Sequence, residues 1–471
     1  IRLITDETEP VDIDRLLVVT FTKAAASEMK ERIGEAIAKQ LQENPNQMNL
    51  RRQSILLNHA DITTIHSFCL RVARENYNLL GIDPAFRVAD DTEILLIKDE
   101  VLEELFEEKY ASNTPEKFLY MVENYSDAMT DNKLKELVLN IYDFARSCPD
   151  FEGWIDRQKQ AYNDPEKMNV WFDMLSEAVC TYIEGALEVT RTALEIAEVS
   201  GPETYIPMLQ SDIQKYEDIL NLRHCGIQGI FSAVKNMTHD ALSRKRCESE
   251  TKEKVQFLRN RAKNFLKQAN GKLLFAEPCE MQEGIAKAGY GICALLDLTA
   301  EFALRMDTEK RERRIADYSD LEHYCLKVLL DEKSTEKNPV KSSTAKELSK
   351  KYRYVMTDEY QDSNMVQELI LSLVSNGKNR FMVGDVKQSI YSFRLADPDI
   401  FTQKYHTYLC EKGAANERID MYRNFRSRGE ILGGINFFFM QLMQRELGGI
   451  CYDKNAMLYL GADFPEYVGW I

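Results

Sequence analysis

Long apolar runs are missing from this 471-residue sequence. The most apolar stretches, such as INFFFM at 435–440, fall far short of the ~18 consecutive residues a membrane-spanning helix needs. The N-terminus does not set a basic start before an apolar core and a small-residue cleavage site, so secretion has no support. Ten cysteines are present without any CxxC pair. Scattered thiols of this kind suit a reducing cytoplasm better than a disulfide frame or a zinc knuckle. An excess of positive charge is missing too. The net charge of −16 argues against a protein whose whole surface grips nucleic acid, while leaving room for a local basic track.

With 44% hydrophobic residues the chain can bury several cores, and at roughly 150 residues per domain it holds about three. Wholesale disorder is excluded. Charge is segregated along the sequence. Residues 241–272 carry ten Lys/Arg against three Asp/Glu, and residues 378–428 carry ten against six. Residues 91–111 hold eight carboxylates and two lysines.

Residues 13–22, IDRLLVVTFT, contain the continuous apolar run of a strand buried on both faces. An Ala-, Glu- and Lys-rich helix follows, then DITTIHSFCLRVAREN, a short β-branched strand turning into a second helix. This alternation predicts α/β architecture. The middle differs. No glycine lies between Gly81 and Gly153, and amphipathic spacing predicts an almost wholly helical region over 82–345, broken at Pro115, Pro149, Pro165, Pro202 and Pro207. The polar stretch 332–347 predicts a surface loop or linker. Strand–helix alternation returns in YRYVMTDEYQD and NRFMVGDVKQSIYSF. The simplest architecture is an α/β domain made of two chain segments with a helical insertion between them.

Asp358 and Glu359 close the apolar strand VMT. The first acid of such a pair can hold Mg²⁺ at the carboxyl end of a strand, and the second can orient and deprotonate an attacking water. The same acids also suit a helix start, where they complement the helix dipole. The segment Val383 to Arg394 favours the first reading. A strand runs into a Gly-Asp turn, then Gln388, Tyr391, Phe393 and Arg394. Gln388 can contact a γ-phosphate or its water, and the aromatics can stack on bases at ~1–3 kcal/mol each. Taken singly, Tyr391 and Phe393 suit a core better, and their position beside Gln388 and Arg394 is what lifts the functional case. In YRNFRSR, Phe425 sits among arginines. One of these could act as an arginine finger, or the run could be a solvated basic helix start.

Taken in order, these blocks resemble the superfamily 1 helicases of the UvrD/Rep type. TFTKAAASEM at 20–29 looks like their motif Ia and IHSF at 65–68 like Ib. DEYQD looks like motif II, GDVKQSIYSFR like motif III and RNFRS like motif IV. Details of motifs Ia, Ib and II look most similar to the AddA family, the helicase–nuclease A subunits of Gram-positive bacteria. The resemblance implies a RecA-like, P-loop NTPase core with a parallel sheet. The implied segments are 1–80 and 346–400, with a helical insertion over 81–345 and the start of a second RecA-like domain at 401–471. It implies ATP and Mg²⁺ as cofactors. Asp358 and Glu359 would be the metal-binding and catalytic carboxylates, Gln388 the γ-phosphate sensor and Arg394 the link from the ATP site to the DNA track. Phe425 would stack on adenine and Arg426 would be the arginine finger. Phe21, Thr22, His66, Ser67, Tyr391 and Phe393 would line a single-strand DNA channel, although His66 also suits a satisfied helix-start histidine. The implied partners are single- and double-stranded DNA and an AddB-type second subunit, in the cytoplasm.

The sequence departs from this family in one respect. It contains no G-x-x-x-x-G-K-[ST], the loop whose backbone and lysine cradle the phosphates. The expectation is a fragment that starts past that loop, stops before motifs V and VI and the nuclease domain, and hydrolyses ATP negligibly by itself. A DNA-binding or subunit-interaction module without turnover is the competing reading, and a RecB-type or UvrD-type repair helicase is a third. For the module, the basic stretch 241–272 with Arg259, Arg261 and Lys263 is a candidate contact surface, against the alternative of an ordinary charged helix.

Overall fold

The structure, a computed structural model, describes residues 1–6, 9–112, 116–243, 251–391, 395–443 and 450–464. Among these residues eight strands lie in chain order: β1 Leu16–Thr20, β2 Asp61–Thr64, β3 Arg87–Val88, β4 Ile315–Ala316, β5 Tyr354–Thr357, β6 Arg380–Met382, β7 Arg423–Asn424 and β8 Tyr459–Leu460. The chain divides into two compact units. One comprises residues 1–107, 139–151 and 301–471, the other 108–138 and 152–300.

The first unit is built on a parallel sheet of order β2-β1-β5-β6. The Leu-Leu-Val-Val run forms its centre because both faces of β1 are covered. Leu17 and Val19 join Phe68, Val72, Leu321, Leu326, Val355 and Ile370 on one side, and Leu16 joins Ile4, Ile13, Ile37, Leu50 and Ile62 on the other. The helices start where short polar side chains cap them. Thr22 accepts from the Ala25 amide ahead of the helix Lys23–Glu43, and Thr64 from the Ser67 amide ahead of Ile65–Glu75. Asn364 accepts from the Gln367 amide ahead of Met365–Val374. The helix Tyr318–Leu329 opens on a reciprocal capping box between Asp317 and Asp320. Its Asp320 is buried and receives Lys310 at 2.7 Å and Arg146 at 2.8 Å.

The expected insertion over 81–345 is therefore shared between the units. Residues 301–345 pack with the sheet because Leu321, Cys325, Leu326 and Leu329 sit in its main core. The region is also not purely helical, since β3 and β4 form a two-residue parallel ladder. The stretch 332–347 is a loop only in part. Ser342 caps Ala345 and starts the helix Ser343–Lys351.

The second unit is all helix among its described residues. The 36-residue helix Pro165–Ser200 packs against Ile206–Asn221 and Lys252–Gln268 around Ile183, Tyr216, Ile230 and Ala262. Pro165 and Pro207 stand in the first turns of helices, where a missing N–H costs nothing. Arg259 of the basic stretch is buried. Its Nε donates to Asp212 Oδ2 at 2.6 Å and its Nη2 to the Asp240 carbonyl at 2.8 Å. It is a core ion pair, which removes it from the candidate contact surface; Arg261 remains exposed. Among the described residues no helix is long and apolar enough to cross a membrane, and every cysteine is a free thiol.

Candidate functional site

All four strands of the main sheet are parallel, so their carboxyl ends share one edge, where α/β folds bind ligands. Val19 pairs with Thr357, Thr20 with Thr64 and Thr357 with Met382. Phe21 and Thr22 leave β1, Ile65 and His66 leave β2, Asp358 and Glu359 leave β5, and the Val383-Gly384-Asp385 turn leaves β6 at this edge.

The acid loop is held by backbone bonds to both neighbours. The Asp358 amide donates to the Val19 carbonyl at 2.9 Å, the Tyr360 amide to the Val383 carbonyl at 2.9 Å, and the Val383 amide to the Thr357 carbonyl at 2.9 Å. Glu359 takes a left-handed conformation, φ +50°, which is uncommon for a residue with a Cβ and is found where surroundings over-determine the backbone. Asp358 is half-buried and Glu359 exposed. Buried Gln361 ties this loop to the next turn. Its Nε2 donates to Glu359 Oε2 at 2.8 Å, while its Oε1 accepts from the Asp385 amide at 3.0 Å. Gly384 permits this approach, because a Cβ there would lie 2.6 Å from Gln361 Oε1. Asp385 in turn accepts from Gln388 Nε2 at 3.0 Å and pairs with Lys387 Nζ at 2.8 Å. Glu359 and Gln388 are thus joined through Gln361 and Asp385.

Behind the loop, Tyr360 is buried and donates its hydroxyl to Glu368. Arg380 grips the same carboxylate with both terminal nitrogens at 2.7 Å, and Lys404 adds a third donor at 2.9 Å. Burial pushes the Tyr360 phenol up, with the Glu368 charge adding to it. Burial would also raise Glu368, but the Arg380 pair holds it below the usual carboxylate range. Burial and the neighbouring Glu359 raise the Asp362 carboxyl.

Phe21 stacks on Tyr391, ring centroids 5.0 Å apart at 26°. Phe21 is 42% exposed, so the pair presents an aromatic surface at the sheet edge. Thr22 and Ser67 take part in helix starts. Thr22 caps its helix, and the Ser67 hydroxyl lies 2.9 Å from that of Thr64. His66 stands against the buried Glu322, Nε2 to Oε1 at 3.1 Å, and 4.8 Å from the Tyr318 ring. Phe393 and Arg394 lie outside the described residues. Phe425 and Arg426 follow the β7–β8 ribbon, where Asn424 Oδ1 accepts from the Arg426 and Ser427 amides. Phe425 rests on Gly461, where a Cβ would come within 2.9 Å of the ring, and it remains 65% exposed. Among the described residues no hydrogen bond or ion pair joins Arg426 to Asp358, Glu359 or Gln388.

The model of the UvrD/REP helicase N-terminal domain matches residues 1–409. The chain belongs to the UvrD/REP helicase family. It is similar to proteins whose names give them as the A subunits of ATP-dependent helicase/nucleases. It is 41% identical over 479 residues to that of Clostridium beijerinckii, 40% over 484 to that of Bacillus licheniformis and 39% over 481 to that of Acetivibrio thermocellus. Each alignment takes in 99% of this chain and 38% of the relative, so the chain spans well under half the length of these relatives.

In this UvrD/REP-family chain, hard oxygen donors at the sheet edge fit Mg²⁺, which binds through one or two carboxylates and completes its shell with phosphate and water. Asp358 and Glu359 supply that number, and the buried Thr357 hydroxyl beside them has no hydrogen-bond partner among the described residues. No cluster of three or more His, Cys, Asp or Glu suited to a metal occurs among the described residues. Three site-forming residues escape a reading of the sequence. Gln361 is readable only as a spacer between acids, Gly384 only as a turn glycine, and Glu322 as one more acid on an amphipathic helix.

Proposed function

We propose that these residues form the motor part of an ATP-driven DNA helicase, in a helicase–nuclease that processes double-strand breaks for recombinational repair. The observation that carries this reading is the shared sheet edge. The acid pair, Gln388 and the Phe21–Tyr391 stack leave β1, β5 and β6 at one end, with Gln361 bridging the two turns.

In this reading the sheet is a RecA-like core, residues 108–138 and 152–300 are the helical insertion, and the chain after about 401 enters a second RecA-like domain. Asp358 would hold Mg²⁺, and Glu359 orients and deprotonates the attacking water. The metal supplies charge neutralisation of the β- and γ-phosphates when bound. Gln388, braced by Asp385, senses the γ-phosphate, and Arg394 links the nucleotide to the strand. Phe425 offers its exposed ring to adenine and Arg426 neutralises developing charge. Phe21, His66, Tyr391 and Phe393 contact single-stranded DNA, with Thr22 and Ser67 acting mainly through helix caps at the channel wall. An AddB-type subunit is the proposed partner, and the cytoplasm the proposed site of action.

Oligo(dT)-stimulated ATP turnover of the complete protein with its partner subunit tests this. Glu359→Gln is expected to lower kcat by about 10²–10⁴-fold, the usual worth of a positioned general base, while keeping strand affinity. Unchanged kcat would remove Glu359 from the chemistry. A second reading is a strand-binding module without turnover, which an unchanged kcat in that variant would favour. The 471 residues alone are expected to bind oligo(dT) and to hydrolyse ATP negligibly.

A further inference from the structure

Glu322 is a buried carboxylate that the nucleotide and strand chemistry above does not use. It lies on the helix Tyr318–Leu329, and three side chains from two other segments converge on it. Its Oε1 accepts from Gln367 Nε2 at 2.7 Å and faces His66 Nε2 at 3.1 Å. Its Oε2 accepts from Asn364 Nδ2 at 3.1 Å. A carboxylate only accepts, so His66 Nε2 carries the proton in this contact. Burial would raise the Glu322 carboxyl, but hydrogen bonds from His66, Gln367 and Asn364 hold it below its usual range.

The two ends of this cluster differ. On one side His66 leads out of β2 with about a third of its side chain open to solvent. On the other side Asn364 is the cap that starts Met365–Val374, immediately after the turn Tyr360–Asp362 and the acid pair. Asn364 uses both ends of its amide, accepting from the Gln367 amide and donating to Glu322. The helix carrying Glu322 is itself clamped, because Asp320 is gripped by Lys310 and Arg146. The carboxylate therefore has a fixed base, with His66 and Gln367 sharing Oε1 and Asn364 holding Oε2.

We infer that Glu322 is a positioning residue that relays strand contact at His66 to the acid loop through Asn364 and Gln367. This rests on the strand reading proposed above. A backbone phosphate that accepts the His66 Nε2–H hydrogen bond in place of Glu322 leaves Oε1 to Gln367 alone. The carboxylate then re-centres on the Asn364–Gln367 side and tightens the helix start that follows Asp358 and Glu359. Neither His66 nor Glu322 need touch the nucleotide for this.

Hydrogen exchange of the 471-residue chain with and without oligo(dT) tests the relay. In the wild type, the oligonucleotide should slow exchange both at 61–75 and at 358–367. In Glu322→Gln, oligo(dT) should still protect the peptide containing Phe21, and in both Glu322→Gln and His66→Ala, compared with the wild type at saturating oligo(dT), the slowing at 358–367 should fall about fivefold or more, the lower end of ordinary site-to-site coupling. His66→Ala leaves the buried partners in place and decides the matter alone if Glu322→Gln fails to fold. An undiminished response at 358–367 in His66→Ala overturns the relay. So does exchange there that rises equally with and without oligo(dT) in Glu322→Gln, which marks a mere prop. A wild-type chain that oligo(dT) leaves unprotected at Phe21 removes the strand reading itself, a result distinct from failure of the relay.

Discussion

Phe21 and Tyr391 lie ring against ring although 370 positions separate them in sequence, because one follows β1 and the other the turn after β6. If the pair is one stacking platform, its members are not independent. Phe21→Ala and Tyr391→Ala should each weaken oligo(dT) binding by about 1–3 kcal/mol. The double variant should lose little more than either single one, because contacting residues couple. Fluorescence anisotropy across the four proteins measures this, and full additivity would mean two separate contacts.

The Gln361 bridge should be sensitive at both ends. Gln361→Ala removes a buried amide that satisfies the Asp385 N–H and Glu359, at about 1–3 kcal/mol of unfolding free energy. Gly384→Ala drives a methyl group against Gln361 Oε1 and should cost about as much through overpacking. Urea titration gives both values. In the complete protein both variants should also lower DNA-stimulated ATP turnover, since they disturb Glu359 and Gln388 together.

Acid should loosen the first unit before its surface carboxylates titrate. His323 is buried, and that burial, with Arg146 close by, lowers its pKa from 6.5 to about 4. The folded state thus binds this proton less readily than the unfolded chain. Its contribution is complete above pH 6.5 and is lost as pH falls from 6.5 to about 4, for a total of about 3 kcal/mol. Thermal unfolding from pH 8 to pH 4 should show that slope, and His323→Gln should flatten it.

Arg259 should behave as a core residue. Breaking a buried ion pair by removing one partner costs about 3–5 kcal/mol. Arg259→Ala should therefore unfold the helical unit at lower urea, whereas Arg261→Ala, at an exposed position, should stay within about 0.5 kcal/mol of wild type.

Much of the sheet was legible because its signals are local. Leu16 to Val19 form an unbroken apolar run, and Asp358-Glu359 and Gly384-Asp385 mark where β5 and β6 end. What was illegible depends on packing between distant segments. Nothing in the helix Tyr318–Leu329 distinguishes Glu322 from a solvated acid until His66 and Gln367 are placed beside it. The burial of Arg259 did leave a trace, since Val255, Arg259, Ala262 and Leu266 follow one another at intervals of four, three and four on the face that is buried. The density of charge around them obscured it. The sharing of 81–345 between two units was hidden for a related reason, because helical periodicity reports a buried face without naming its partner.

The position of β1 at the centre of the sheet has a consequence for synthesis. Its β5 neighbour is not translated until more than 300 residues after it. At about 5–20 residues per second the ribosome needs roughly a quarter of a minute to a minute to cover that span. During that time one edge of β1 has no mate, while the whole of 152–300 has already emerged and can fold.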